Sequence, residues 1–333
     1  MMNKEQSLQL KGVAILMMLF LHLFNTVDRV AECTTYVNFL NGKPLVYALA
    51  RVCGMCVPIY LFISGYGLAY SARFDMRSFL RRLWRVFCRY WLVFALFIPV
   101  GCFLVPNYYP GSIQELVLNF LALSDTYNGE WWFLLPYVLL LAMARWIVPH
   151  VQRISPRQSW AEFFVLYGLS VLGQHVKHVG GDLYVVQRLV QFFFVLPAFY
   201  AGVCCGSRAT KILEYVRSIR HPLLWMGGLL FIRCFLGASI LNVLFCVPFV
   251  LLFIQLRLNR SVQSVLSFLG RHSTIMWLTH TFYAYYFFHT QLYALRNPLL
   301  IYVTLLTITL LTAIPLEWLA NHFTEPQNNR RKT

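Results

Sequence analysis

Charge is what this chain has least of. Only 12% of its 333 residues are Asp, Glu, Lys or Arg, while 59% are hydrophobic and the mean hydropathy is +0.60. A soluble domain carries about 25% charged residues, so a water-facing globule is excluded. No long polar stretch is present that could fold as a separate soluble domain. Nothing alternates at period two in segments of about ten residues, which removes a membrane β-barrel. No small-residue cleavage site of the A-x-A kind follows the first apolar run, so that run is expected to stay as a bundle helix and not leave as a signal peptide. No second C-x-x-C accompanies Cys53 and Cys56, and that pair lies in an apolar run. The nine cysteines therefore read as packing residues, and neither a metal site nor a disulfide framework is expected.

What the chain does have is apolar runs of about 20 residues, long enough to span a bilayer. Ten are expected, at 8–27, 45–70, 86–105, 131–148, 160–176, 184–205, 222–238, 240–257, 267–289 and 298–320. The fold class is all-α, a polytopic membrane bundle in one domain over 1–322 with a short basic tail at 323–333. The stretch "IQELVLNFLALS" (113–124) is too short to cross and reads as an interfacial helix. With the N-terminus inside, 21 of the 28 basic residues fall on the cytoplasmic side. That asymmetry in short loops assigns both termini to the cytoplasm. The net charge of +16 then reflects topology and attraction to anionic lipid headgroups, and calls for no nucleic-acid partner.

Polar residues inside the spans are the candidates for function, because ionisable groups at bilayer depth are costly. Lys11 and His22 lie eleven residues apart in the first run, about three turns, so they face the same way about 16 Å apart along the axis. His22 on its own, like His280 in the ninth run, reads as a histidine that hydrogen-bonds a neighbouring helix. Arg51, Arg188 and Arg233 enter spans from the outer side, either to snorkel or to hold an anionic or polyhydroxyl ligand. Glu130 is their partner, an acid/base group or an interface residue beside an aromatic belt. On the cytoplasmic side, Arg77, Arg81, Arg85 and Arg89 recur every four residues, with Arg82 among them and Arg73 one turn earlier. Such a stripe pairs with lipid phosphates or with those of a nucleotide-like donor.

These residues also resemble a family. "KGVAILMMLFLH" carries a basic residue, ten intervening residues and a histidine, Lys11 and His22. "IYLFISGYGL", with Ser64 and Gly65, closes the second run. The arginine-rich "RRLWRVFCRYW", the tryptophan-rich "EWWFLLPYVLL" and the late "GRHSTIMWLTH" follow in order. In sequence, spacing and helix count the chain is similar to the acyltransferase-3 group of integral membrane acyltransferases over nearly its full length. Lys11 stands where the group more often has arginine, Cys88 where proline is usual and Trp277 where tyrosine is common. "GEWWFL" replaces the "WSLxxE" pattern of many members, and no hydrolase-like domain follows.

The resemblance implies a stand-alone enzyme of a bacterial cytoplasmic membrane. It would move an acyl group, most often acetyl, from acetyl-CoA or another acyl-CoA to a hydroxyl of a cell-envelope carbohydrate. His22 is then the expected catalytic residue, as general base or acyl carrier, with His280 and Glu130 as further candidates. Lys11 and the arginines Arg77, Arg81, Arg82, Arg85 and Arg89 face the CoA phosphates, and Arg51, Arg188 and Arg233 the acceptor. The competing class is a transporter or flippase for an envelope glycan, which is often built from repeated halves. No such repeat is visible here.

Overall fold

A computed structural model describes residues 2–34, 37–39, 42–70, 75–179 and 183–324. Arg73 and the basic residues of the expected tail lie outside the described residues, as do the side chains of Lys177 and Arg217. Among the described residues every regular element is helical, apart from one isolated bridge between Asn38 and Pro44.

The chain opens with α1 (Lys4–Phe24) and the short α2 (Val27–Ala31), then α3 (Leu45–Cys53), α4 (Cys56–Tyr70) and the long α5 (Met76–Leu104). The short α6 (Ile113–Phe120) precedes a 3-10 turn, Gly129–Phe133, that runs straight into α7 (Leu134–Arg153). Next come α8 (Pro156–Val179), α9 (Tyr184–Ser207), α10 (Ala209–Arg217), α11 (Pro222–Phe235) and α12 (Asn242–Phe253). Last are α13 (Arg260–Thr281), a π-helical segment Phe282–Phe287, α14 (His289–Tyr293) and α15 (Pro298–Thr324). Asn3 starts α1 with a capping box: its side chain accepts from the Gln6 amide at 2.7 Å while Gln6 Oε1 accepts from the Asn3 amide at 3.1 Å. Two orphan amides are thereby satisfied where the helix begins.

Six of these segments are long and apolar enough to cross a membrane: α1, residues 45–70, α5, residues 129–153, α9 and α15. The protein is therefore a multi-pass helical membrane protein, although six is fewer than the ten spans expected. The shortfall has two causes. α11 and the run Ser239–Phe253 are apolar but short, and α8 and α13, at 24 and 22 residues, are long but carry too many polar groups for the hydropathy test. The expected span 45–70 is also broken into α3 and α4 at Gly54 and Met55. Pro58 explains the break: it lacks the amide that would bond the Gly54 carbonyl, and its ring crowds that carbonyl.

Helices in lipid gain little from hydrophobic exclusion, so close packing depends on small residues at the crossings. α1 and α13 meet reciprocally. A Cβ on Gly12 would sit 2.1 Å from the Leu266 carbonyl oxygen, and one on Gly270 2.0 Å from that of Leu8. α4 and α9 repeat the device, with Gly65 against the Phe199 carbonyl and Gly202 against that of Phe62, each at 2.1 Å from the would-be Cβ. α1 contributes Leu10, Ile15, Leu19 and Phe24 to the core, whereas Phe103, Leu224 and Trp318 stand exposed on the outside. Large apolar side chains left exposed on a bundle's flank match a lipid surround.

Candidate functional site

A cavity of about 530 Å³ runs beside α1. Ser7, Lys11, Met18, His22 and Asn25 line it, at spacings of four, seven, four and three that mark one helical face. From Ser7 to Asn25 the axis advances about 27 Å, close to the ~30 Å hydrocarbon core of a bilayer. Two contacts show that α4 runs antiparallel to α1. The Met2 amide donates to the Tyr66 hydroxyl at 3.1 Å, and the Tyr60 hydroxyl donates to the Lys11 carbonyl at 3.2 Å. Continuing in that direction through α3 brings Arg51 level with His22 and Asn25. The cavity thus has a Lys11 end and an Arg51 end.

His22, 8% exposed, sits toward the Arg51 end. Its Nε2 is 3.4 Å from Glu130 Oε2, which arrives on the 3-10 turn before α7. A tight charge-assisted hydrogen bond measures about 2.7–2.9 Å, so the two groups are in contact without a tight bond, and both stay available to a group that approaches from the cavity. Tyr285 holds the other side of the ring: its hydroxyl donates to the His22 carbonyl at 2.6 Å and lies 3.2 Å from Nδ1. With the single hydroxyl proton committed to the carbonyl, the tyrosine oxygen accepts from Nδ1–H. That assignment leaves the Nε2 lone pair bare and facing Glu130. Arg29 locks the arrangement, since its Nη1 donates to the His22 carbonyl at 2.7 Å, to the Tyr285 oxygen at 2.6 Å and to Asn25 Oδ1 at 3.0 Å.

His280 stands behind His22, with ring centroids 4.9 Å apart. It is fully buried, donates from Nδ1 to the Trp277 carbonyl at 2.7 Å, and its Nε2 has no hydrogen-bond partner among the described residues. His280 does not line the cavity and stands behind the residues that do. The π-helical turn after it resets the side-chain phase and delivers Tyr285 to His22 and Tyr286 to the Gly129 amide, 2.9 Å away. π-turns inside helices recur at functional sites.

The expected arginine stripe divides. Arg77, Arg81 and Arg85 lie exposed outside the cavity. Arg89 is turned to α15, where its Nε donates to Glu317 Oε2 at 2.8 Å and Nη2 to Asn321 Oδ1 at 2.9 Å. Only Arg82 enters the cavity, at the Lys11 end. It follows Arg81 by one residue, a turn of about 100°, which swings it off the exposed face. The expected trio at the other end divides as well. Arg51 and Arg233 line the cavity, whereas Arg188 forms an ion pair with Asp125 at 2.8 Å and accompanies Gln191 at 2.9 Å, away from it.

Tyr285 and Arg29 are the two side chains around His22 that sequence reasoning missed. On a regular α-helix Tyr285 would point about 140° away from His280, and Arg29 reads as an ordinary loop charge. The tyrosine-rich run "FYAYYF" after His280 is the signal that was available.

The acyltransferase-3 family model, described as an acyltransferase domain, matches residues 8–318. No curated protein and no solved structure matches the chain.

Proposed function

The chain belongs to the acyltransferase-3 family, and from that premise we propose that it transfers an acyl group, acetyl first among them, from a cytoplasmic acyl-CoA to a hydroxyl of a cell-envelope carbohydrate. One observation carries this reading: a single cavity joins the basic pair Lys11 and Arg82 to the His22–Glu130 pair, about three turns further along α1. Lys11 and Arg82 have no carboxylate in ion-pair contact among the described residues. They suit the phosphates of CoA, and the thioester at the far end of its flexible arm then reaches toward His22. The bias of basic residues to one side supports a cytoplasmic Lys11 end.

The chemistry follows from the imidazole. His22 Nε2 takes the proton from an acceptor hydroxyl held beside it and Glu130, and the oxygen attacks the thioester carbonyl. The carbon–sulfur bond breaks, and the proton passes from His22 to the departing thiolate, which leaves as the free thiol of CoA. Glu130 stabilises the imidazolium while it exists, and Tyr285 with Arg29 keeps the ring in one orientation. Once the proton has moved on, the imidazole is neutral again and ready for the next hydroxyl.

A positioned general base contributes about 10²- to 10⁴-fold to rate. His22→Ala, reconstituted in vesicles with radiolabelled acetyl-CoA and an envelope glycan extract, is expected to lose acetyl transfer by at least about 100-fold while remaining folded. Full activity in that variant overturns the assignment. The length of the cavity also suits a glycan transporter. Transport needs no acyl donor, so glycan movement without acetyl-CoA would favour that class.

A further inference from the structure

Two guanidinium groups at the Arg51 end of the cavity lack a counter-charge. Arg233 is wholly buried, so its charged head does not snorkel to water. Its Nε donates to Asn242 Oδ1 at 2.8 Å, its Nη1 to the Leu236 carbonyl, and its Nη2 reaches the Ala238 carbonyl at 3.3 Å and the Arg51 carbonyl at 3.5 Å. Every one of these acceptors is neutral. Arg51 lies beside it: its Nη1 donates to the Tyr47 hydroxyl at 3.3 Å, and its Nε is buried with no hydrogen-bond partner among the described residues. Neither arginine forms an ion pair among the described residues.

Among the half-buried arginines Arg89 has Glu317 and Arg188 has Asp125, whereas Arg29, Arg82 and Arg208 have no carboxylate; among the described arginines Arg233 alone is wholly buried. A buried charge without a partner is strongly unfavourable, more so at membrane depth. Glu130, the one carboxylate lining the cavity, is engaged with His22 and makes no ion pair with either arginine. Tying the turn between α11 and α12 to α3 accounts for the hydrogen bonds of Arg233. It does not account for its charge, for the orphaned Arg51 Nε, or for both groups lining one cavity.

We infer that Arg51, with the buried charge of Arg233 behind it, binds an anionic group, a carboxylate or a phosphate, on the acceptor, so that the acceptor is an acidic glycan such as a uronic acid or a sugar phosphate. The word acceptor rests on the acyl-transfer reading; the anion site itself does not. Guanidinium forks match both oxyanions in geometry. Arg51 stands level with His22 and Asn25, so an anion held there leaves the sugar ring beside Nε2, with the acyl donor arriving from the opposite end. The pair thus serves as a specificity determinant, selecting acidic over neutral sugars.

The test is equilibrium binding in phosphatidylcholine nanodiscs without acyl-CoA, followed by fluorescence of the cavity-lining Trp132 and Trp277. The probes are methyl glucuronide, glucose 1-phosphate and neutral methyl glucoside. The acidic sugars are expected to bind at least tenfold more tightly than the neutral one, and the tighter of the two identifies the group recognised. Arg51→Gln should abolish the preference, Arg51→Lys should recover part of it, and Arg188→Gln, whose arginine lies outside the cavity, should leave it intact. Equal binding of neutral and acidic sugars, or an unchanged preference in Arg51→Gln, overturns the inference. So does loss of the preference when phosphatidylglycerol is added to the discs, which would make a lipid headgroup the occupant. Acetyl transfer that persists without any acid preference sinks this inference alone, whereas an acid preference in a protein that transfers nothing sinks the transferase reading alone.

Discussion

A histidine becomes a base only when something fixes which of its nitrogens carries the proton. Here that task falls to Tyr285, whose oxygen stands 3.2 Å from Nδ1 while Arg29 donates to it at 2.6 Å. Tyr285→Phe removes the acceptor of the Nδ1 proton and frees the ring to flip tautomer. The expected result is a fall in kcat of about tenfold, the scale of one charge-assisted hydrogen bond, with KM for acetyl-CoA unchanged because the basic pair is untouched. Equal losses in kcat and in acetyl-CoA binding would instead mark Tyr285 as a packing residue. At this scale the sequence was partly legible. Lys11 and His22 share a face by local periodicity alone, and His22, Glu130 and His280 each stand out in the sequence as candidate site residues; the fold brings these last three together. Arg89 and Arg188 were assigned to ligands because their acids, Glu317 and Asp125, lie 228 and 63 residues away and nothing local announces the pairing.

Among the elements, the α1–α13 crossing matters most, because it sets His22 against His280. It depends on two hydrogens in place of two methyl groups, at Gly12 and Gly270. Gly270→Leu would drive a side chain into the Leu8 carbonyl and push the helices apart. Overpacking of this kind costs about 1–3 kcal/mol or more. The variant is expected to unfold at lower temperature in detergent and to lose activity with it, as measured by static light scattering on heating. An unchanged Tm would show that the crossing tolerates separation. The break between α3 and α4 is written in Pro58, yet hydropathy summed over a window passes across it, since the residues on both sides are equally apolar. α8 and α13 fall short for a different reason: polar side chains such as Glu162 and Gln174, or Arg271, His272 and His280, lie within the expected spans themselves.

For the molecule as a whole, composition was a sound guide to class. Its apolar excess identifies a membrane bundle, and six helices pass the tests of both length and hydropathy. α11 and α12 are apolar but, at 14 and 12 residues, shorter than the runs that suggested them, because a hydropathy run says nothing of where a turn interrupts it. Orientation is a property of the whole charge distribution and is open to measurement. Reporters fused to either terminus in a bacterial host are expected to behave as cytoplasmic, with green fluorescence and no alkaline phosphatase activity. Phosphatase activity at one end would mean an odd number of crossings.

The cavity beside α1 has a consequence for the cell's energy supply. A void about as long as the hydrocarbon core is thick is a liability in an energised membrane, since a thread of water along it would conduct protons and sodium. Lys11, Arg82, Arg51 and Arg233 set positive charge near both ends of that path against a single carboxylate. Fixed cations along a narrow passage repel hydronium and metal ions. The side chains proposed to hold anionic groups would therefore also keep small cations out of the cavity, a second service from the same charges.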